Sequence, residues 1–264
     1  MKTYKNLGQE LSEADMREYV ESYYARVFSK SNDRHVQMQE LFPEKDEVRD
    51  VLDFGCGMGG ISKLFADVYD TQVRGIDISE NELDKAKLVF GDDERITFQL
   101  LEEFEFPEEG FDLVFSAMVA EHVHNPGLFL ARINRMLRDG KYLIVGIPNV
   151  GSLSRFTLSL LFSRERARKH SREMIEKYDK AHHHINAWDT IHFTNLAASC
   201  GFELVDFLPT EGIPLPWCGL LRKVPVLKWV PEWIKWRVPL FGRWSYSTFY
   251  LFKKRRFVDI SPYA

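Results

Sequence analysis

Residues 51–60 read VLDFGCGMGG. An apolar run carrying one carboxylate, Asp53, gives way to four glycines within six positions. The run has the make-up of a buried strand, and GGISKLFADVY (59–69) behind it has helical periodicity. In open α/β sheets, ligands bind beyond the carboxyl ends of the strands. Gly55, Gly57 and Gly59 let the backbone turn sharply there and approach a ligand, because no Cβ intervenes. The helix start would offer N–H groups to the same ligand. Gly55, Gly57 and Gly60 also satisfy G-x-G-x-x-G, so a dinucleotide site is one reading. Asp53 argues for another: a carboxylate beside the loop repels a pyrophosphate and suits a cationic or hydrogen-bond-donating ligand.

Outward from the loop, strands and helices alternate. VRDVLDF (48–54), QVRGIDI (72–78), ITFQLL (96–101), FDLVFSAM (111–118) and KYLIVGIP (141–148) read as strands. Helices are expected at 59–69, 80–90 and 127–139, the last stopped by Gly140. This alternation implies a parallel sheet covered on both faces. DTIHFTNLAASCGF (189–202) reads as a helix capped by Asp189 and stopped by Gly201, and FELVDFL (202–208) as a strand. STFYLFKKR (247–255) reads as a last strand, antiparallel because no clear crossover helix precedes it. An N-terminal helix over 12–30 would be capped by Ser12, with Asp15 at the capping-box position.

The expected fold is α/β: a doubly wound, mostly parallel seven-stranded sheet with an antiparallel last strand and helical lid insertions. Four segments are expected. They are a helical cap (1–47), a ligand-binding core (48–150), a basic helical insertion (151–188) and a completion of the core (189–264) that carries a Trp-rich insertion at 211–244.

The chain has 264 residues, 45% hydrophobic and 28% charged, a balance that supports a sizeable core and argues against wholesale disorder. A net charge of −4 argues against a dedicated nucleic-acid binder, which is usually basic. Cys56, Cys200 and Cys218 are too few and too far apart for a disulfide framework or a zinc knuckle. A reducing, cytoplasmic setting is expected. The N-terminal stretch has no apolar core of a signal peptide, and no apolar run reaches the roughly 18 residues of a membrane span.

VLDFGCGMGG resembles the D-x-G-x-G-x-G signature of class I S-adenosylmethionine-dependent methyltransferases. The cofactor suits the chemistry above: it carries an ammonium and a sulfonium and no phosphate. The resemblance runs from about residue 48 to 150 and resumes at 182–208. It implies that Asp53, Gly55, Cys56, Gly57 and Gly59 face the cofactor. RGIDIS resembles the second strand ending in an acid, which makes Asp77 the ligand of the ribose hydroxyls, with Ile78 beside it. ITFQLLEEFEFPEEGFDLVFS resembles the third and fourth strands. It implies Glu102, or its neighbour Glu103, as the contact for the adenine amino group, where the usual pattern is Gly-Asp-Ala, and brings in Ser116. FDLVFSAMVAEHVHNP and INRMLRDGKYLIVGIPN are similar to the small-molecule branch, which includes ubiquinone-type O-methyltransferases and sugar and natural-product enzymes. HHINAWDTIHFTNLAASCGFELVDF is similar to the same branch and puts His184 facing the site.

Several residues carry two readings. The Cys56 side chain reads as a small packed group, since nothing near it in sequence supplies a base. Glu121-His122 follows the fourth strand, on the acceptor side. Some relatives hold a divalent metal through Glu-x-x-Glu-His with later histidines, but Met118 occupies the first position here and no metal is expected. His122 and His184 are the candidate bases that take a proton from an acceptor hydroxyl. His182, His183 and His184 point in different directions and do not suggest one shared ion. Tyr19 and Tyr23 of the N-terminal helix either pack on the core or line the site. The basic run Arg164, Arg166, Arg168, Lys169 and Arg172 is a solvated helix face or the lid over an anionic acceptor, such as a nucleotide-linked sugar or lipid pyrophosphate. Trp217, Trp229, Trp233, Trp236 and Trp244, interspersed with Lys and Arg, suit a peripheral membrane contact, an acceptor pocket or a homodimer contact.

The activity expected is O-methylation of a small-molecule or glycan-type acceptor, phosphate-bearing or lipid-linked acceptors included. The rivals are a nicotinamide-dependent oxidoreductase and a non-catalytic S-adenosylmethionine-binding partner subunit.

Overall fold

A computed structural model of the chain describes residues 13–27, 38–149, 163–177, 184–210 and 247–259. The Trp-rich segment, Ser12, His182, His183 and Cys218 lie outside the described residues.

The loop of interest joins strand β1 (Asp50–Phe54) to helix α2 (Gly60–Tyr69). Then follow β2 (Gln72–Asp77), α3 (Glu80–Phe90), β3 (Ile96–Leu100), β4 (Phe111–Ala117), α4 (Pro126–Met136) and β5 (Leu137–Pro148). Helices α5 (Arg164–Lys177) and α6 (Thr190–Ser199) and strands β6 (Phe202–Thr210) and β7 (Ser247–Lys254) complete the order, with α1 (Glu13–Val27) ahead of the core. The strands form one seven-stranded sheet in the order β3-β2-β1-β4-β5-β7-β6. β1 to β5 pair in parallel, and β7 runs antiparallel to both β5 and β6, as expected for a last strand with no clear crossover helix before it. The strand order reverses between β1 and β4, which opens a crevice beyond their carboxyl ends.

Alternation along each strand sends side chains to two cores. Leu52, Val114, Leu143 and Val145 pack on one face with Leu130 and Ile133 of α4 and Phe193 and Ala197 of α6. Val51, Leu113, Phe115 and Ile144 pack on the other with Leu64, Phe65 and Ala66 of α2. Burying one such side chain contributes about 1.5–3 kcal/mol, so the two layers together fix which strand ends can face the crevice. Helix α1 lies against α3: Arg17 donates from Nη2 to the Leu88 carbonyl at 2.6 Å, satisfying a carbonyl in the last turn of α3. Tyr19 packs against the second core, the first of its two readings.

Most element ends shift by one to three residues from the sequence expectation, and one differs in kind. The helix expected over 127–139 ends at Met136, and Gly140 does not stop it. Leu137 already pairs with Phe111, so β5 begins there, and Gly140 sits inside β5 at φ +72 beside a register shift between Phe111 and Leu113. The left-handed glycine accommodates an irregular strand, a use that periodicity cannot separate from a helix stop.

Candidate active site

The loop spends its own N–H groups. Gly55 and Cys56 both donate to the Ile76 carbonyl, at 2.8 and 3.0 Å, and Gly59 donates to the Cys56 carbonyl at 3.0 Å. Gly57 donates to Asp77 Oδ2 at 2.8 Å. A nest that cradles phosphate needs these donors turned outward. Here they tie the end of β1 to the end of β2. Gly57 has φ +50, and a Cβ built on it would meet nothing within 4 Å, so the loop leaves open space there. Gly55 is enclosed instead: a Cβ on it would meet Val119 Cγ2 at 2.3 Å.

Asp53 does not reach the crevice. It is 1% exposed, and its Oδ2 accepts the Ser62 hydroxyl of α2 at 2.6 Å. Burial pushes its carboxyl up to about 7, the Ser62 hydrogen bond acting against this and the nearby Asp77 charge adding to it. Its carboxylate anchors α2 to β1. Cys56 is buried, and burial, with Asp53 and Asp77 nearby, pushes its thiol far up, which removes thiolate chemistry. Ser116 is buried as well, its hydroxyl donating to the Phe54 carbonyl at 3.0 Å across the β1–β4 pair.

The crevice itself is a cavity of about 1130 Å³. Gly55, Asp77, Ile78, Glu102 and His122 line it among the residues singled out from sequence; Asp53, Cys56, Gly57, Gly59, Glu103, Ser116 and His184 do not. Asp77 stands at the end of β2 with its other oxygen, Oδ1, accepting the Ser79 N–H at 2.9 Å. Both oxygens are therefore oriented by backbone donors, with a lone pair left on each. Ile78 beside it is 68% exposed, an apolar surface offered to the cavity. Glu102 sits on the 3-10 turn Leu101–Glu103, and its neighbour Glu103 points out of the lining. Sequence reasoning missed Asn81, Phe104, Val119, Leu128 and Arg132, which also line the cavity. Their place after a strand end or on the first turns of α3 and α4 was the available signal. Met118, which follows β4, holds φ +58, a conformation uncommon for a residue with a Cβ.

These groups fit S-adenosylmethionine. Asp77 presents an oriented carboxylate for vicinal hydroxyls, Ile78 and Leu101 present apolar surface for an aromatic face, and Glu102 presents an acceptor for an exocyclic amine. Asp77, Glu82 and Glu102 line the cavity with Arg132, and Glu82 is paired with Lys85 at 2.5 Å; Asp77 and Glu102 leave the lining acidic on the side of the β2 end, which favours a cationic ligand there over a pyrophosphate.

Beyond the cofactor groups, the turn after β4 carries Glu121 and His122. Glu121 is 1% exposed. Its Oε1 lies 3.9 Å from His122 Nε2 and 3.9 Å from His184 Nε2. The two imidazoles meet edge to face, centroids 5.0 Å apart. The structure thus brings together the two histidines singled out from sequence, His122 in the cavity wall and His184 behind it. The segment carrying His184 is fastened to the turn: Ile185 and Asn186 donate their N–H groups to the Glu121 carbonyl at 2.9 and 3.0 Å, and the Asn186 side chain donates to the Val123 carbonyl.

Residues 17–206 match a family model described as a methyltransferase domain. Over 97 residues the chain is 32% identical to a 2-methyl-6-phytyl-1,4-hydroquinone methyltransferase of Synechocystis, covering 36% of this chain and 30% of that protein. It is 32% identical over 108 residues to ajmaline N-methyltransferase of Rauvolfia serpentina (39% and 37%), and 32% identical over 131 residues to the mitochondrial ubiquinone biosynthesis O-methyltransferase of Candida albicans (47% and 39%). The chain spans only 30% to 39% of the length of these relatives. An S-adenosylmethionine-dependent methyltransferase from Mesorhizobium loti shares the fold, with a TM-score of 0.57 and 17% identity over 83% of this chain and 97% of that one.

Proposed function

The chain belongs to the methyltransferase domain family, and from that premise we propose that it transfers a methyl group from S-adenosylmethionine to a hydroxyl oxygen of a small-molecule or glycan-type acceptor. The observation that carries the reading is one cavity holding Asp77 and Glu102 together with His122. S-adenosylmethionine, when bound, supplies an electrophilic methyl group on a positively charged sulfur. The protein then has two tasks, alignment and the removal of one proton. Asp77 and Glu102 fix the cofactor's polar groups, and Ile78 flanks its ring. His122 lines the same cavity, so its imidazole takes the acceptor's proton, and the buried Glu121 carboxylate beside it stabilises the imidazolium that results.

Oxygen as the nucleophile is supported by the relative named as an O-methyltransferase and by an imidazole at the cavity wall. The anionic acceptor rests on the basic make-up of α5 alone: Arg164, Arg166, Arg168, Lys169 and Arg172 are all exposed, and none of them lines the cavity. A cytoplasmic setting, with a peripheral membrane contact as its alternative, is part of the proposal and rests on the three scattered cysteines alone. Among the described residues no helix is long and apolar enough to cross a membrane. The nicotinamide alternative is disfavoured by a loop whose N–H groups are turned inward and by the acidic lining at the β2 end of the cavity.

The test is incubation with S-adenosylmethionine carrying a deuterated methyl group and a panel of hydroxyl, amine and phosphate-bearing sugar acceptors, read by mass spectrometry. A labelled methyl ether supports the reading. Label on nitrogen or carbon alone overturns its oxygen specificity, and no label on any acceptor, with cofactor bound, favours the non-catalytic subunit.

A further inference from the structure

We propose that Arg132 reads an anionic group of the acceptor, so that the substrate is a hydroxyl compound with an apolar body and a carboxylate or phosphate at the end away from the reacting oxygen. The inference rests on the methyl-transfer reading and names the substrate class of that site. Arg132 is the only lysine or arginine among the described residues that line the cavity. Its guanidinium makes no ion pair or hydrogen bond among the described residues. Arg135, three residues further along α4, is by contrast paired with Glu108. The cavity thus holds one guanidinium whose donors the fold leaves for something else.

That guanidinium is nonetheless held in place. It stands over the Phe106 ring, 5.7 Å from the centroid. Phe106 meets Phe104 edge to face at 5.2 Å, and Phe104 is buried in the first core. An aromatic face attracts a cation without using its N–H donors. The ring therefore positions the charge and keeps the fork of donors available. Carboxylate and phosphate oxygens match that fork two at a time, which a hydroxyl or an amide does not.

The place of Arg132 in the fold sets the shape of the ligand. Helix α4 begins just after the turn that carries His122. Asn125, Leu128 and Arg132 follow at spacings of three and four, and all three line the cavity, so they share one helix face. Helical side chains lean towards the N-terminus, which brings the guanidinium back towards the crevice. Asn125 and Arg132 are separated by about 10 Å of helix rise, an upper scale for the gap between anion and reacting oxygen. Val123, Leu128 and Phe129 present apolar surface along the same wall. At the other end Asp77 and Glu102 repel an anion, which directs the acceptor's charge to α4. The cavity of about 1130 Å³ stands above the roughly 300–1,000 Å³ of a pocket for one small molecule, leaving room for an acceptor beside the cofactor. Arg132 thereby supplies, inside the cavity, the contact that α5 does not.

The test is binding to the full chain saturated with S-adenosylhomocysteine, by calorimetry, of two matched pairs of probes. One pair is 3,4-dihydroxycinnamate and its methylamide; the other is 3,4-dihydroxyphenethyl phosphate and the parent alcohol. The wild type should bind the charged member of at least one pair about tenfold or more tighter than its neutral twin, the scale of charge-assisted hydrogen bonds. The pair that shows it separates carboxylate from phosphate. Arg132→Gln should bring the twins level, and Arg132→Lys, which keeps the charge without the fork, should retain part of the difference. Arg132 is exposed and Gln is a good helix former, so the variant keeps the fold. An Arg164→Gln, Arg166→Gln, Arg168→Gln variant of α5 should keep the full preference. Equal binding of the twins, binding of neither pair, a preference that survives Arg132→Gln, or one lost with the α5 variant overturns the proposal. So does an equal loss of S-adenosylhomocysteine affinity in Arg132→Gln, which would assign the guanidinium to the cofactor's own carboxylate. Failure of S-adenosylhomocysteine to bind the wild type is a separate result: it sinks the methyltransferase reading, and the acceptor class falls with it.

Discussion

Asp77 Oδ2 accepts the N–H of Gly57 at 2.8 Å, twenty residues before it in the chain. This bond joins the two sequence features that matter most, the glycine loop and the acid at the end of β2. It makes Asp77 both a ligand of the cavity and the clasp that shapes the loop. Asp77→Ala should therefore weaken S-adenosylhomocysteine binding by about 10- to 100-fold, the scale of losing hydrogen bonds to a charged group. Asp77→Asn, which retains one acceptor oxygen, should lose less. Equal affinity in all three proteins would show that Asp77 does not hold the cofactor.

The glycines of the loop should respond unequally to alanine. At Gly57 the added Cβ has open space, so Gly57→Ala should cost only the left-handed backbone, about 1–2 kcal/mol. At Gly55 the same backbone cost is joined by contact with Val119 Cγ2. Overpacking of that kind adds about 1–3 kcal/mol. Thermal unfolding should show a clearly lower Tm for Gly55→Ala than for Gly57→Ala, and the reverse order would contradict the loop geometry.

Asp53 makes a prediction about pH. Its carboxyl is pushed up to about 7 from an ordinary 3.8, with burial as the main cause. A folded-state pKa above the unfolded one means that the folded protein binds more protons between those values. This group's contribution to stability is then intact below about pH 4 and falls as pH rises towards 7. Asp53→Asn removes the titration while leaving an acceptor for Ser62. The wild type should lose more stability than this variant between pH 5 and pH 8 in denaturant unfolding. Parallel pH profiles would mean that Asp53 is not the group involved.

His122 and His184 should separate binding from chemistry. His122→Ala should keep S-adenosylhomocysteine affinity and lower kcat by about 100-fold or more, the range of a general base. His184→Ala should lower it less, because His184 stands behind His122 and does not line the cavity. Full activity in both variants would leave proximity alone carrying the rate.

Much of this was legible in the sequence, for identifiable reasons. Apolar runs read as strands ending at Phe54, Ile78 and Met118 placed three strand ends beside one crevice, and the glycines marked the turn over it. What local pattern could not supply was the direction of a side chain at a strand end. Asp53 and Asp77 both end or nearly end strands, yet one turns into α2 to meet Ser62 and the other faces the cavity. The Glu102–Glu103 ambiguity has the same origin: a single 3-10 turn aims adjacent carboxylates differently. Gly140 misled because a left-handed glycine serves a strand irregularity as well as a helix end. The meeting of His184 with Glu121 depends on backbone hydrogen bonds across more than sixty residues, which no local periodicity encodes.

The central claim is that this cavity holds S-adenosylmethionine through Asp77. The most direct measurement is titration calorimetry of the full chain with S-adenosylmethionine, S-adenosylhomocysteine and NAD, on the wild type and Asp77→Ala. The account predicts micromolar binding of the first two to the wild type, its loss or strong weakening in the variant, and no heat of binding with NAD. Binding of NAD, or of none of the three, would contradict it.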